Sequence, residues 1–93
     1  MPSVTFLGDL RRTAGCSRVS VQAETVEELL VSLGQVFGPG FAGLVSTGVS
    51  LQPDVEVLVN GRNIVFLEML ETPLRSADQV TIFLSGLRGF PGG

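Results

Sequence analysis

Pro91, Gly92 and Gly93 close the chain, and Gly-Gly is the narrowest carboxylate-bearing tip a polypeptide can make. Neither glycine has a Cβ, and few steric limits act on its φ and ψ. A carboxylate resists nucleophiles until one of its oxygens becomes a leaving group. Adenylation by ATP does this, and attack by sulfide or a persulfide then yields a thiocarboxylate, a nucleophilic sulfur on a slender arm. In such a scheme Gly93 carries the activated carboxylate, and Gly92 supplies clearance inside a narrow partner channel. The plain alternative is a frayed terminus, because disorder collects at chain ends.

The side chains point the same way by what they lack. There is no histidine, so the commonest general base and metal ligand is missing. All six basic residues are arginine, which removes Schiff-base chemistry and leaves no side-chain amine to which another protein could be joined. The single cysteine, Cys16 in Ala14-Gly15-Cys16-Ser17, excludes an internal disulfide and a multi-thiolate metal site. With no histidine to activate it, it reads as a loop cysteine. The acids are scattered, and adjacent Glu27 and Glu28 read as a solvated helix start. No catalytic side chain, metal site or bound cofactor is expected. The chain reads as a carrier on which partner enzymes act, with any ATP consumed by the activating partner.

Ninety-three residues, 44% hydrophobic and 16% charged, describe one small domain with its own core. A net charge of −3 opposes a nucleic-acid binder that works by neutralising phosphates. No apolar run reaches the length of a membrane span, and the start lacks a signal-peptide pattern, so a cytoplasmic location is expected.

Period-two alternation and β-branched residues predict strands over Ser3 to Leu7, Arg18 to Ala23, Val55 to Val59, Asn63 to Val65 and Gln79 to Leu84. The first two would form a hairpin with a long polar loop. Asn60-Gly61 is a strong hairpin turn signal. Thr25-Val26-Glu27-Glu28 is a capping box, and Val26, Leu29, Leu30, Leu33, Val36 and Phe37 predict one buried stripe on the helix that follows. Gly38-Pro39-Gly40 ends it, and Phe41 to Val45 fits a single helical turn. Residues 46–54 read as loop. Leu67, Met69, Leu70 and Leu74 read as apolar anchors of an irregular link, and Phe6, Phe66 and Phe83 as core or sheet-face residues. A hairpin, a crossover helix and a late apolar strand predict an α+β fold. It would be a ubiquitin-like β-grasp with a mixed sheet of about five strands and one main helix across a face. The last strand would lie parallel to the first in the middle. Residues 1–84 would be the domain and 85–93 a flexible tail.

The runs Leu58-Val59-Asn60-Gly61-Arg62-Asn63-Ile64, Phe66-Leu67-Glu68, Thr72-Pro73-Leu74 and Asp78-Gln79-Val80-Thr81-Ile82-Phe83, with Leu10 to Gly15 and the terminal Gly-Gly, resemble the MoaD/ThiS sulfur carriers. The likeness covers nearly the whole chain, and the long connection Gly38 to Asp54 is more similar to the molybdopterin-synthase branch. The turn Ala77-Asp78 stands where the family has Gly-Asp, and Leu84 to Pro91 is longer than the family's run to Gly-Gly. The resemblance implies activation at Gly93 by an E1-like adenylating enzyme. It further implies sulfur delivery, as the small subunit of molybdopterin synthase, to the dithiolene of the molybdenum or tungsten cofactor beside a larger catalytic subunit. Phe83, Leu87, Arg88 and Phe90 are the candidate partner-contact residues. The alternatives are a ubiquitin-like modifier joined to lysines of other proteins, a thiamin-type carrier, and a β-grasp interaction module.

Overall fold

Alternation along the strands decides which side of the sheet is dry. Val4 and Phe6, Val55, Val57 and Val59, and Val80 and Ile82 are all buried, while the residues between them are exposed or half-buried. The computed structural model describes residues 1–46 and 51–85. In it these residues belong to β1 (Ser3–Phe6), β3 (Val55–Val59) and β5 (Gln79–Leu84), joined by β2 (Arg18–Ser20) and β4 (Arg62–Asn63) in the order β2-β1-β5-β3-β4. β5 runs parallel to β1, from Ser3 opposite Gln79 to Phe6 opposite Ile82, and antiparallel to β3, from Val55 opposite Leu84 to Val59 opposite Val80. The last strand is thus central, and the arrangement is the expected ubiquitin-like β-grasp with a mixed five-stranded sheet.

The described residues form three α-helices where the sequence predicts one main helix: α1 (Gly8–Ala14), α2 (Val26–Phe37) and α3 (Pro39–Val45). α1 occupies what reads in sequence as a polar hairpin loop. Its only buried residue is Leu10, so no apolar period announces it. Asp9 in the first turn and Arg11 and Arg12 in the last suit the helix dipole. Asp9 and Arg12 form an exposed ion pair, and Gly15, at φ 80°, closes the helix in the left-handed conformation. α3 extends the single expected turn because Pro39 sits in its first turn and Phe41 and Val45 are buried.

α2 begins as its capping box requires: the Thr25 hydroxyl accepts from the Glu28 backbone N–H at 3.2 Å. The Glu28 carboxylate reaches one residue further back than the box predicts and accepts from the Glu24 N–H at 3.1 Å. Val26, Leu29 and Leu33 are fully buried, but Val36 is 62% exposed, against expectation. Neighbouring helical residues point about 100° apart, and on this last turn Val36 turns outward while Phe37 packs against the core. There Phe37 stacks edge-on against Phe6, with ring centroids 5.5 Å apart, and both rings meet Phe41, at 5.4 Å from Phe6 and 5.3 Å from Phe37. α2 and α3 pack closely through small residues, and a Cβ built on Gly34 would stand 3.2 Å from the Ala42 Cβ.

The link from β4 to β5 is shaped by polar side chains more than by its leucines. The Asn63 carboxamide oxygen accepts from the Val65 N–H at 3.0 Å, so the expected strand over Asn63 to Val65 ends at Asn63 and becomes a 3-10 turn, Ile64–Phe66. Ile64 is buried by this turn, and Phe66, expected in the core or on the sheet, is 78% exposed. A second 3-10 turn, Met69–Glu71, buries none of its residues, and Met69 (φ 53°) faces solvent. Thr72 organises this link: buried, its hydroxyl accepts from the Glu68 N–H at 3.0 Å and donates to the Met69 carbonyl at 2.7 Å. Its own carbonyl accepts from the Val26 N–H, tying the link to the start of α2.

Phe6 and Phe66 therefore separate cleanly in their effects. Phe6→Ala is expected to destabilise the fold by about 3–5 kcal/mol, as removal of a fully buried ring does. Phe66→Ala is expected to stay within about 0.5 kcal/mol, both read from urea unfolding midpoints. Equal losses for the two would contradict this placement of the core.

Candidate functional site

The place where the chain leaves β5 is set by the pairing of that strand. Leu84 lies opposite Val55, and the Ser85 N–H donates to the Asp54 carbonyl at 2.6 Å, so the last described residue is still held at the start of β3. On the other flank the Leu7 N–H donates to the Ile82 carbonyl at 3.2 Å, continuing the β1 pairing. Ser85 therefore directly follows the central strand, which lies between β1 and β3.

The sheet face away from the helices is the surface beside that exit. Ser3 and Thr5, Glu56 and Leu58, and Gln79, Thr81 and Phe83 alternate with the buried residues and so lie on it. Among the described residues of these strands, Leu58 and Phe83 are its large apolar side chains, both half-buried. Glu56 is directly opposite Phe83, and Thr81 opposite Leu58. Glu56 is not loose: its carboxylate accepts from the Asn63 carboxamide at 2.6 Å across to β4. At the exit end Leu7 is 45% exposed. The arrangement is an apolar spot with a fixed acid at its margin, suited to docking a protein surface.

Phe83, the expected partner-contact residue that lies among the described residues, is half-buried on this open face, two residues before Ser85. Gly92, Gly93, Leu87, Arg88 and Phe90 lie outside the described residues. Leu58 is a surface residue that the sequence reading misses, although a leucine at the polar phase of Val55-Glu56-Val57-Leu58-Val59 is the signal that could have found it. Cys16 is a free cysteine, half-buried against the core. Among the described residues no group of three or more cysteines and carboxylates could hold a metal ion, and no helix is long and apolar enough to cross a membrane.

The opposite end of β5 is pinned by a polar clasp. Asn60 (φ 52°) and Gly61 (φ 85°) make the hairpin turn, a conformation that Gly61 adopts without a Cβ penalty. The Asn60 carboxamide donates to the Asp78 carboxylate at 3.0 Å and accepts from the Gln79 N–H at 2.9 Å. The other Asp78 oxygen accepts from the Arg75 N–H at 2.8 Å. Hydrogen bonds from the Arg75 backbone and then from the Asn60 side chain hold the Asp78 carboxyl below its ordinary value.

The comparisons with known proteins agree with this geometry. A model described as the ThiS family matches residues 4–84. A protein of Archaeoglobus fulgidus named "Putative sulfur carrier protein" is 34% identical over 82 residues, which cover 88% of this chain and 85% of that protein. The solution structure of small archaeal modifier protein 1 from Methanosarcina acetivorans matches with a TM-score of 0.79 at 28% identity, over 89% of this chain and 90% of that one. A chain in the crystal structure of the Amycolatopsis orientalis BexX/CysO complex matches with a TM-score of 0.81 over 100% of both chains; at 24% identity this shows a shared fold.

The Asp78 clasp makes a pH-dependent prediction. A carboxyl whose value is lower in the folded state stabilises the fold above its unfolded value, and that contribution is lost as pH falls through the folded one. The stability gap between the wild type and Asp78→Asn is therefore expected to be largest near neutral pH and to shrink below about pH 4. Urea midpoints measured across this range check it, and a gap that does not vary with pH would overturn it.

Proposed function

The chain belongs to the ThiS family, and on that premise we propose that it is a sulfur carrier whose Gly93 carboxylate becomes a thiocarboxylate. An E1-like partner would join the carboxylate to AMP from ATP, releasing pyrophosphate. Sulfide would then attack the acyl carbon and displace AMP to give the thiocarboxylate directly. A persulfide would instead give an acyl disulfide, whose S–S bond a second thiol cleaves, leaving the thiocarboxylate and a new disulfide. Gly92 and Gly93 supply the slender arm, and Leu58 and Phe83 supply a surface by which the partner holds the domain while the arm reaches its active site. The observation that carries this reading is the central position of β5, which sends the chain out from the middle of the sheet beside that apolar spot. No side chain of the carrier takes part in the chemistry, in keeping with a sequence that has neither His nor Lys.

The proposed destination is molybdopterin synthesis: a larger synthase subunit would receive the arm, and the sulfur would enter the dithiolene of the molybdenum or tungsten cofactor. This rests on the family's molybdopterin-synthase branch, which the long connection from Gly38 to Asp54 resembles. A second reading is favoured by the likeness to small archaeal modifier protein 1: the activated Gly93 would pass to a lysine amine of another protein. Both readings share the adenylation step and differ in the acceptor. The cytoplasm, where ATP is available, is the proposed location.

Intact mass separates them. After incubation with an E1-like enzyme, ATP and sulfide, the chain is expected to gain about 16 Da as sulfur replaces oxygen, and deletion of Gly93 should abolish the gain. Loss of that sulfur on adding the synthase large subunit and its precursor supports the molybdopterin destination. Adducts on lysines of other proteins, without a thiocarboxylate, would support the modifier instead. No mass change of either kind would overturn the proposal.

A further inference from the structure

On the helical side, α2 and α3 line an open cleft of about 460 Å³, which has no role in the carrier chemistry proposed above. Leu30 and Val31 of α2, Ala42 and Gly43 of α3, and Leu70 of the β4–β5 link supply its apolar lining. Its floor is bare because Gly34 and Ala42 meet so closely that no larger side chain projects between the helices. Val31 is 57% exposed, an apolar residue on the outer face of a helix whose core residues are Val26, Leu29 and Leu33.

The charged residues in this lining and next to it in sequence are acidic. Glu27 lines it, Glu28 is its neighbour on α2, and Glu71 follows the lining residue Leu70; all three are exposed. Among the described residues that line the cleft there is no arginine. We propose that this cleft docks a basic amphipathic helix of a partner protein, with its leucine-type side chains between α2 and α3 and its Arg or Lys residues toward Glu27, Glu28 and Glu71. An apolar trough with a charged margin is the recognition mode of a helix in a groove, and the carboxylates would select the sign of the partner and speed its arrival. The cleft and the face bearing Leu58 and Phe83 lie on opposite sides of the sheet. A helix bound here leaves that face and the chain exit open, so two proteins can be held together.

The test uses the full chain, isotopically labelled, and a helical peptide of about 15 residues with leucine at i, i+3, i+4 and i+7 and arginine elsewhere. Amide shifts are expected at Leu30, Val31, Gly34, Gly43 and Leu70. Val31→Arg, at an exposed position, should weaken binding about tenfold or more with an unchanged melting temperature. Glu27→Gln with Glu71→Gln should weaken it severalfold and flatten its salt dependence. Phe83→Ser should leave it unchanged. Equal binding of the peptide with glutamate in place of arginine, shifts centred on Leu58 and Phe83, pairing of two copies of the chain through this cleft, or no binding would each overturn the proposal. Because the readout needs no activation of Gly93, it stands or fails separately from the carrier reading.

Discussion

The parallel pairing of β1 with β5 is the constraint on which the rest of the molecule depends. Parallel strands cannot be joined by a tight turn, so the whole intervening chain must cross over and return. The crossover places α2 and α3 on one face, and that choice makes Val4, Phe6, Val80 and Ile82 the buried members of their strands. It also makes the final strand central. Residues that would otherwise be a sheet edge become the launching point of the chain exit, with backbone hydrogen bonds on both flanks.

Much of this was legible because the signals were local. The bounds of β3 and β5, the Thr25 cap and the Asn60-Gly61 turn each depend on a few adjacent residues whose chemistry permits little else. What the sequence did not disclose depends on contacts from far away. α1 is held by one buried leucine, Leu10, and has no period to read. Val36, Phe66 and Met69 are apolar yet face solvent, because Phe37, Ile64 and Leu70 take the inward positions. Thr72 is a buried organiser of the link, a role that rests on which backbone groups the fold brings to its hydroxyl. On the open sheet face, Phe83 was singled out by its nearness to the chain end, whereas the place of Leu58 lay in the alternation of β3 and was not read from it.

The surface is divided by function. One side of the sheet carries a small apolar spot with Glu56 fixed by Asn63, beside the exit. The other side carries helices with an apolar cleft and an acidic margin. On the proposed carrier reading the reacting group would belong to the backbone terminus, which would leave the folded part free of catalytic demands. Its side chains can be given over to stability and recognition, and no strained or strongly perturbed ionisable side chain is needed near the exit.

The same central pairing has a mechanical consequence. β1 enters the sheet at one end and β5 leaves it at the other, so tension applied between the two ends of the domain acts along both strands in opposite directions. The hydrogen bonds from Ser3–Gln79 to Phe6–Ile82 are then loaded together in shear, and none can be peeled away first. Force applied along β5 against β1 therefore meets the whole β1–β5 ladder at once, and the domain resists unfolding along that direction.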